Sequence, residues 1–190
     1  MIFNFSTCRK SGINCAENVY SFEARAKILN HSDSINVGDT VWLEVTCPVS
    51  QSDGNSGRMI SYSKAANLGT AIAIGELVKP SGIEAASSFD YHLVTGTNIN
   101  NPDANRIREY LFSEGLVEYQ FLVGIIPKKK GIFSIGLSNA ANVYRTNDKC
   151  TKASYRIYFT QTDQHLYFIK QVYGVDPDPP PNGTYCFKVK

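Results

Sequence analysis

No two cysteines in this chain stand at the two-residue spacing of a zinc or redox motif, and the three histidines are not spaced as ligands beside them. Small zinc folds and thioredoxin-like chemistry are thereby excluded. A glycine-rich phosphate loop and a Gly-x-Ser-x-Gly elbow are both missing, so neither nucleotide binding nor the common serine-hydrolase geometry has a local signature. The chain has no apolar run long enough for a membrane-spanning helix and no internal repeat. Charge of one sign is lacking too: the net charge is +2, and the basic residues are scattered apart from Lys128, Lys129 and Lys130. Nucleic-acid binding needs a basic face that neutralises several phosphates, so no nucleic-acid partner is expected. Asp53 with Asn55 and Asp103 with Asn105 read as ordinary turn sequences rather than calcium loops. No metal and no cofactor are expected.

What the chain does contain points to β structure. Methionine occurs twice, against eleven tyrosines and ten phenylalanines, and aromatic rings suit a pleated, half-buried surface. With 190 residues, 43% of them hydrophobic and 19% charged, the chain can bury a core without staples. Residues 35–48 organise the pattern. After Gly38 and Asp39, Val41, Leu43 and Val45 alternate with Trp42, Glu44 and Thr46, and the run stops at Cys47 and Pro48. A period of two marks a strand with unlike faces, and proline ends a ladder. Trp42 has the opposite parity to the three aliphatic residues, so it is the one handle for ligand binding, through stacking on a sugar face.

The same period recurs along the chain. Residues 18–29 place Tyr20, Phe22, Ala24, Ala26 and Ile28 on one face and Ser21, Glu23, Arg25 and Lys27 on the other. Further strands are expected over 70–78, 85–95, 116–126, 132–138, 154–160 and 183–189, with short ones near 34–37 and 59–62. Residues 107–112 are short and amphiphilic and are assigned to neither helix nor strand. The turn through Pro127 and Gly131 predicts a hairpin joining the strands on either side of it. Residues 139–152 read as a polar connection carrying Cys150. Leu166, Phe168, Ile169, Val172 and Tyr173 follow helical spacing, with Thr162 as the expected cap and Gly174 as the stop. The prediction is a mainly β chain, an antiparallel β-sandwich of immunoglobulin-like style with one short C-terminal helix. Residues 1–14 form a leader and residues 15–190 one sandwich domain.

The five cysteines place the protein outside the cytoplasm. Phe5, Ser6, Thr7 and Cys8 loosely resemble the end of a bacterial lipobox. With Cys8 carrying lipid, Cys15, Cys47, Cys150 and Cys186 remain as an even set. Nearness in sequence suggests Cys15 with Cys47 and Cys150 with Cys186, although four cysteines allow three connectivities. No histidine suggests a catalyst: His31 falls in a turn, His92 on the polar side of a strand, and His165 at the helix start as a solvated or capping residue.

A cysteine near the start, Tyr20 to Phe22, and the run from Asp33 to Trp42 together resemble uncharacterised exported lipoproteins of the Bacteroidetes group. So, in style, do Ile132 and Phe133 after the lysines, and the closing Tyr185 to Val189. The resemblance implies a lipidated cysteine and a mostly β exported domain. It also marks Ser34, between Asp33 and Ile35, as a candidate O-glycosylation site. Arg9 and Lys10 stand where surface-exported members carry acidic residues, which points to an outer-membrane lipoprotein facing the periplasm, or a secreted one. The expected function is a non-enzymatic binding or structural module of the envelope, with a protein or glycan partner and contact with membrane only through the lipid anchor. Two alternatives are a carbohydrate-binding module using Trp42 and a hydrolase whose site is assembled from distant residues.

Overall fold

Alternating stretches become strands throughout the computed structural model, which describes residues 18–30, 32–99, 105–177 and 183–190. The longer strands among them are β1 (Asn18–Ile28), β2 (Val41–Pro48), β3 (Gly69–Glu76), β4 (Phe89–Thr95), β5 (Ile107–Leu111), β6 (Glu118–Pro127), β7 (Gly131–Leu137), β8 (Ala140–Arg145), β9 (Asp148–Phe159) and β10 (Thr184–Val189). One short helix, α1 (Tyr167–Tyr173), precedes β10. The protein is mainly β, as the alternation predicts. No helix among the described residues is long and apolar enough to cross a membrane.

Two large sheets result. The first runs β6-β2-β1-β9-β8, with β4 also paired to β6 and Ala65–Ala66 on β8. The second runs Thr97–Asn98, β5, β3, β7, β10 and Ser34–Ile35, with Ile83–Glu84 also on β3. Both sheets are mixed, which corrects the expectation of a purely antiparallel sandwich. β1 pairs parallel with β9, from Asn18 opposite Thr151 to Ala26 opposite Phe159, and β10 pairs parallel with Ser34–Ile35. These partners lie far apart in sequence, so no hairpin fixes their direction.

The turn after β6 also differs from the expectation. Pro127 and the three lysines do reverse the chain, but β6 pairs with β2 and β4, whereas β7 pairs with β3 and β10. The turn therefore arches from one sheet to the other. Turn residues specify a reversal and leave open whether the arms bond to each other. Lys128 reaches Asp90 at 3.2 Å and Lys129 reaches Glu76 at 2.6 Å, one carboxylate from each sheet. Residues 139–152 are not a connection either, since they form β8 and the start of β9. At the helix, Leu166 rather than Thr162 occupies the cap position, and Gly174 ends it in the left-handed conformation.

Inward residues of the two sheets share one core. β1 contributes Phe22, Ala24, Ala26 and Ile28, β2 contributes Val41, Leu43 and Val45, and β6 contributes Phe121, Val123 and Ile125. Facing them are Ile72, Ile74, Phe133, Ile135, Phe187 and Val189. Aromatic pairs bridge the layers: Phe89 meets Phe133 edge-on at 4.9 Å, and Tyr110 meets Phe121 at 4.9 Å. Each such side chain contributes roughly 1.5–3 kcal/mol on burial.

The chain crosses between sheets in single-residue or two-residue corners at one end. Ala66 leads to Gly69 through Asn67 and Leu68, Thr95 to Thr97 through Gly96, and Leu111 to Ser113 through Phe112. Gly96 has φ +118°, and a Cβ there would lie 2.8 Å from the Leu111 carbonyl oxygen and 2.9 Å from the Phe121 ring. Only glycine fits this corner. The corners fold β5 and Thr97–Asn98 over the edge formed by β4, and that overlap shapes the site described next.

Candidate functional site

Where β4 borders one sheet and β5 lies near the edge of the other, their inward side chains face each other across a cleft of about 450 Å³. β4 supplies Phe89, Tyr91 and Leu93; β5 supplies Tyr110 and, in the same parity, Arg108. The buried rings of Phe89 and Tyr110 form the floor, while Ser87, Asn98 and Asn105 stand exposed at the rim. The volume falls within the ~300–1,000 Å³ of small-molecule sites.

Arg108 sets the electrostatics of this cleft. Its guanidinium carbon lies 4.9 Å from the centre of the Tyr91 ring. Its Nε is shielded from solvent and has no hydrogen-bond partner. Among the described residues no carboxylate pairs with it, and Asp90, the carboxylate of the lining, is taken by Lys128. Tyr91 donates its hydroxyl to the Ala86 carbonyl at 3.1 Å. Burial drives its phenol well above the usual range, against the pull of Arg108, so it stays neutral. Burial likewise raises Tyr110. The cleft thus offers a planar cation on an aromatic support with no counter-ion among the described residues. Its chemistry is to accept an anion through charge-assisted, geometrically matched hydrogen bonds.

Arg108 is not singled out by the sequence, because residues 107–112 are too short and amphiphilic to be assigned a state. The signal was there: Arg108, Tyr110 and Phe112 alternate, and Arg108 is the polar member on the apolar side.

Trp42 lies on the outward face of the first sheet and is half-buried, as its parity predicts. Its ring rests over Gly124, where a Cβ would come within 3.0 Å of Trp42 Cζ3, and it meets His92 edge-on at 6.2 Å. The cleft and this face are separate surfaces of β4. His165 differs from expectation. It is buried, at 5% exposure, with Nδ1 3.1 Å from the Cys186 carbonyl oxygen and Nε2 3.6 Å from the Asp163 carboxylate. The loop before α1 folds back onto β10 and carries this ring inward. Ser34 is half-buried in the short strand beside β10. His31, Cys8 and Cys15 lie outside the described residues.

Two of the expected bridging cysteines are free. Cys47 is fully buried on the inward face of β2, where Gln51 donates to its sulfur at 3.1 Å. Cys186 is fully buried on β10, in the other sheet. Burial pushes both thiols up to about 12. Both behave as small apolar residues filling the interior. Nearness in sequence misleads because strand order, not chain order, decides which side chains meet. Cys150 is disulfide-bonded.

Asp53 and Asn55 serve the backbone. The Asp53 carboxylate accepts from the Ser21, Asn55 and Ser56 amides and from the Ser56 hydroxyl. These bonds, that from Ser21 foremost, hold its pKa down to about 2. Asn55 donates to the Val19 carbonyl. Of the second pair, Asn105 stands at the cleft rim and Asp103 lies outside the described residues.

No protein-family model matches the chain, and no curated protein matches it. Among solved structures, the DNA-binding domain of Cep-1, the C. elegans ortholog of human p53, is similar to 71% of this chain over 89% of its own length. The identity is 10% and the TM-score 0.34. That finding overturns the flat exclusion of nucleic acid as a partner. Scattered basic residues in the sequence do not fix where a fold gathers them, and the exclusion is withdrawn. A likeness this distant carries no argument about what the present chain binds. The class these observations define is a mainly β protein of two mixed sheets with a cationic cleft at their shared edge.

Proposed function

We propose that this chain is a non-enzymatic binding module of sandwich type, working outside the cytoplasm, which seats a small ligand in the cleft between β4 and β5. The observation that carries the reading is Arg108, held on Tyr91 inside a cleft where no carboxylate among the described residues pairs with it. A guanidinium whose Nε is kept from water without a partner costs stability unless something supplies the missing acceptor. Support for a non-catalytic role comes from the histidines. The His165 ring is engaged within the fold, and His92 stands edge-on to Trp42 away from the cleft. A glycan platform on Trp42 has less support, since Gly124 and His92 already occupy its surroundings.

The extracytoplasmic placement is supported by the disulfide at Cys150. Cys8 as acyl carrier, the leader over residues 1–14, an envelope or secreted location and the likeness to Bacteroidetes lipoproteins belong to the same proposal and rest on the sequence. Two measurements test it. Amide resonances followed during titration with a small-ligand panel should shift along β4 and β5; shifts centred on Trp42 would move the site to the outer face, and no shift at all would remove the binding role. Intact mass and non-reducing peptide mapping of protein from its native host should show an acyl group on Cys8 and a bridge at Cys150. An unacylated Cys8 would remove the anchor.

A further inference from the structure

Resting on the cleft as the ligand site, we infer that its ligand is a small molecule bearing a single carboxylate, with the carboxylate on Arg108 and the body of the molecule over Phe89, Leu93 and Tyr110. The charges of the cleft select the anion. Lys128 and Asp90 pair with each other at 3.2 Å, which leaves one positive charge among the described residues of the cleft, that of Arg108. One guanidinium matches one carboxylate in charge and in the spacing of its two oxygens. A phosphate ester carries up to two charges and takes more donors than this cleft places beside Arg108. The floor selects the remainder: half-buried Leu93, beside the buried rings of Phe89 and Tyr110, offers a small apolar contact, and the exposed amides of Asn98 and Asn105 can meet hydroxyl or amide groups at the rim. Tyr91 contributes by fixing the guanidinium plane, so little side-chain freedom is lost when the anion docks.

The test compares acids with their neutral counterparts on the intact protein, by calorimetry and by amide shifts. Phenylacetate is set against phenylacetamide, glucuronate against glucose, and inorganic phosphate serves as the competing anion. The result expected is that an acid binds at least about tenfold tighter than its neutral partner, and that Arg108→Gln removes the difference. Preference for phenylacetate or for glucuronate then tells whether the carboxylate comes on an aromatic or a sugar body. Phosphate binding as tightly as either acid overturns the inference. So does equal binding of acid and neutral partner, in which case shifts along β4 and β5 would leave the binding role standing. Ligand shifts absent from the cleft overturn both. The acid-against-neutral comparison needs no variant, so it holds even should Arg108→Gln fold poorly.

Discussion

Two arginines in this protein stack on tyrosines in the same way, yet the regions around them differ. Arg108 lies over Tyr91 and Arg145 over Tyr62, each with its guanidinium carbon 4.9 Å from the ring centre. In both, Nε is shielded and lacks a partner. The surroundings of Arg145 are closed. Tyr62 is fully buried and donates its hydroxyl to the Val143 and Thr151 carbonyls, while Arg145 Nη2 donates to the Ser61 carbonyl. Nearby Asp148 has its carboxyl held low, first by the Thr151 hydroxyl, then by backbone amides and the charge of Arg145. Arg108 has the ring and its hydroxyl but, among the described residues, no carbonyl acceptor and no carboxylate, and it has open space instead. A stacked guanidinium with a silent Nε is therefore no sign of a site by itself. What separates a structural clamp from a receptor is whether the fold supplies the acceptors.

The largest test of that difference removes the rings. Tyr62→Ala should lower the unfolding free energy by about 3–5 kcal/mol, the range for deleting a fully buried aromatic. Tyr91→Ala, at the half-open cleft, should cost about 1–2 kcal/mol. Urea unfolding of both variants measures this. Equal losses would mean that the cleft is packed as tightly as the interior, and the contrast would fail.

Removing the charges gives a smaller effect with a sharper sign. Arg145→Gln loses the bond to Ser61 and the stacking on Tyr62, and should destabilise by about 1 kcal/mol. Arg108→Gln gives up stacking but also relieves an uncompensated charge, so its stability should stay within about 0.5 kcal/mol of the parent. A loss at Arg108 as large as that at Arg145 would show that the protein itself satisfies Arg108.

How far these features could be read from the sequence follows from the range of the forces that create them. Alternation in β1, β2 and β6 is local, and it gave both the strands and the outward facing of Trp42. Helical spacing from Leu166 to Tyr173 and the stop at Gly174 are local as well. Pairing is not. Nothing in β1 announces that it runs parallel to β9, and nothing in the lysine turn tells whether its arms bond to each other or to separate sheets. The failure of the expected Cys150–Cys186 pairing has the same origin, since Cys150 lies on β9 of the first sheet and the free Cys186 on β10 of the second. The cleft is the least legible feature of all. It exists because three corners fold the second sheet over β4, and one of them needs Gly96 at positive φ. Arg108 could have been noticed as a cation on an apolar parity, but only strand pairing places it against Tyr91.

The smallest expected effect is also the most discriminating. Asp148 has a carboxyl pKa lowered in the folded state. It therefore adds stability above the unfolded value of about 3.9, and that contribution is lost as pH falls below it. Arg145 is part of the cause, so Arg145→Gln should leave Asp148 less depressed and flatten the loss of stability between about pH 5 and pH 2. Asp53, held at about 2 by bonds that neither arginine makes, gives the same acid response in every variant. Arg108 enters no such relation, so the curve for Arg108→Gln should run parallel to that of the parent when urea midpoints are followed over this range. A flattened curve for Arg108→Gln would reveal a carboxylate partner in solution. Asp90 turning from Lys128 to Arg108 would be the nearest source. The cleft would then be neutralised by the protein's own side chain, and its case as an anion receptor would fall with it.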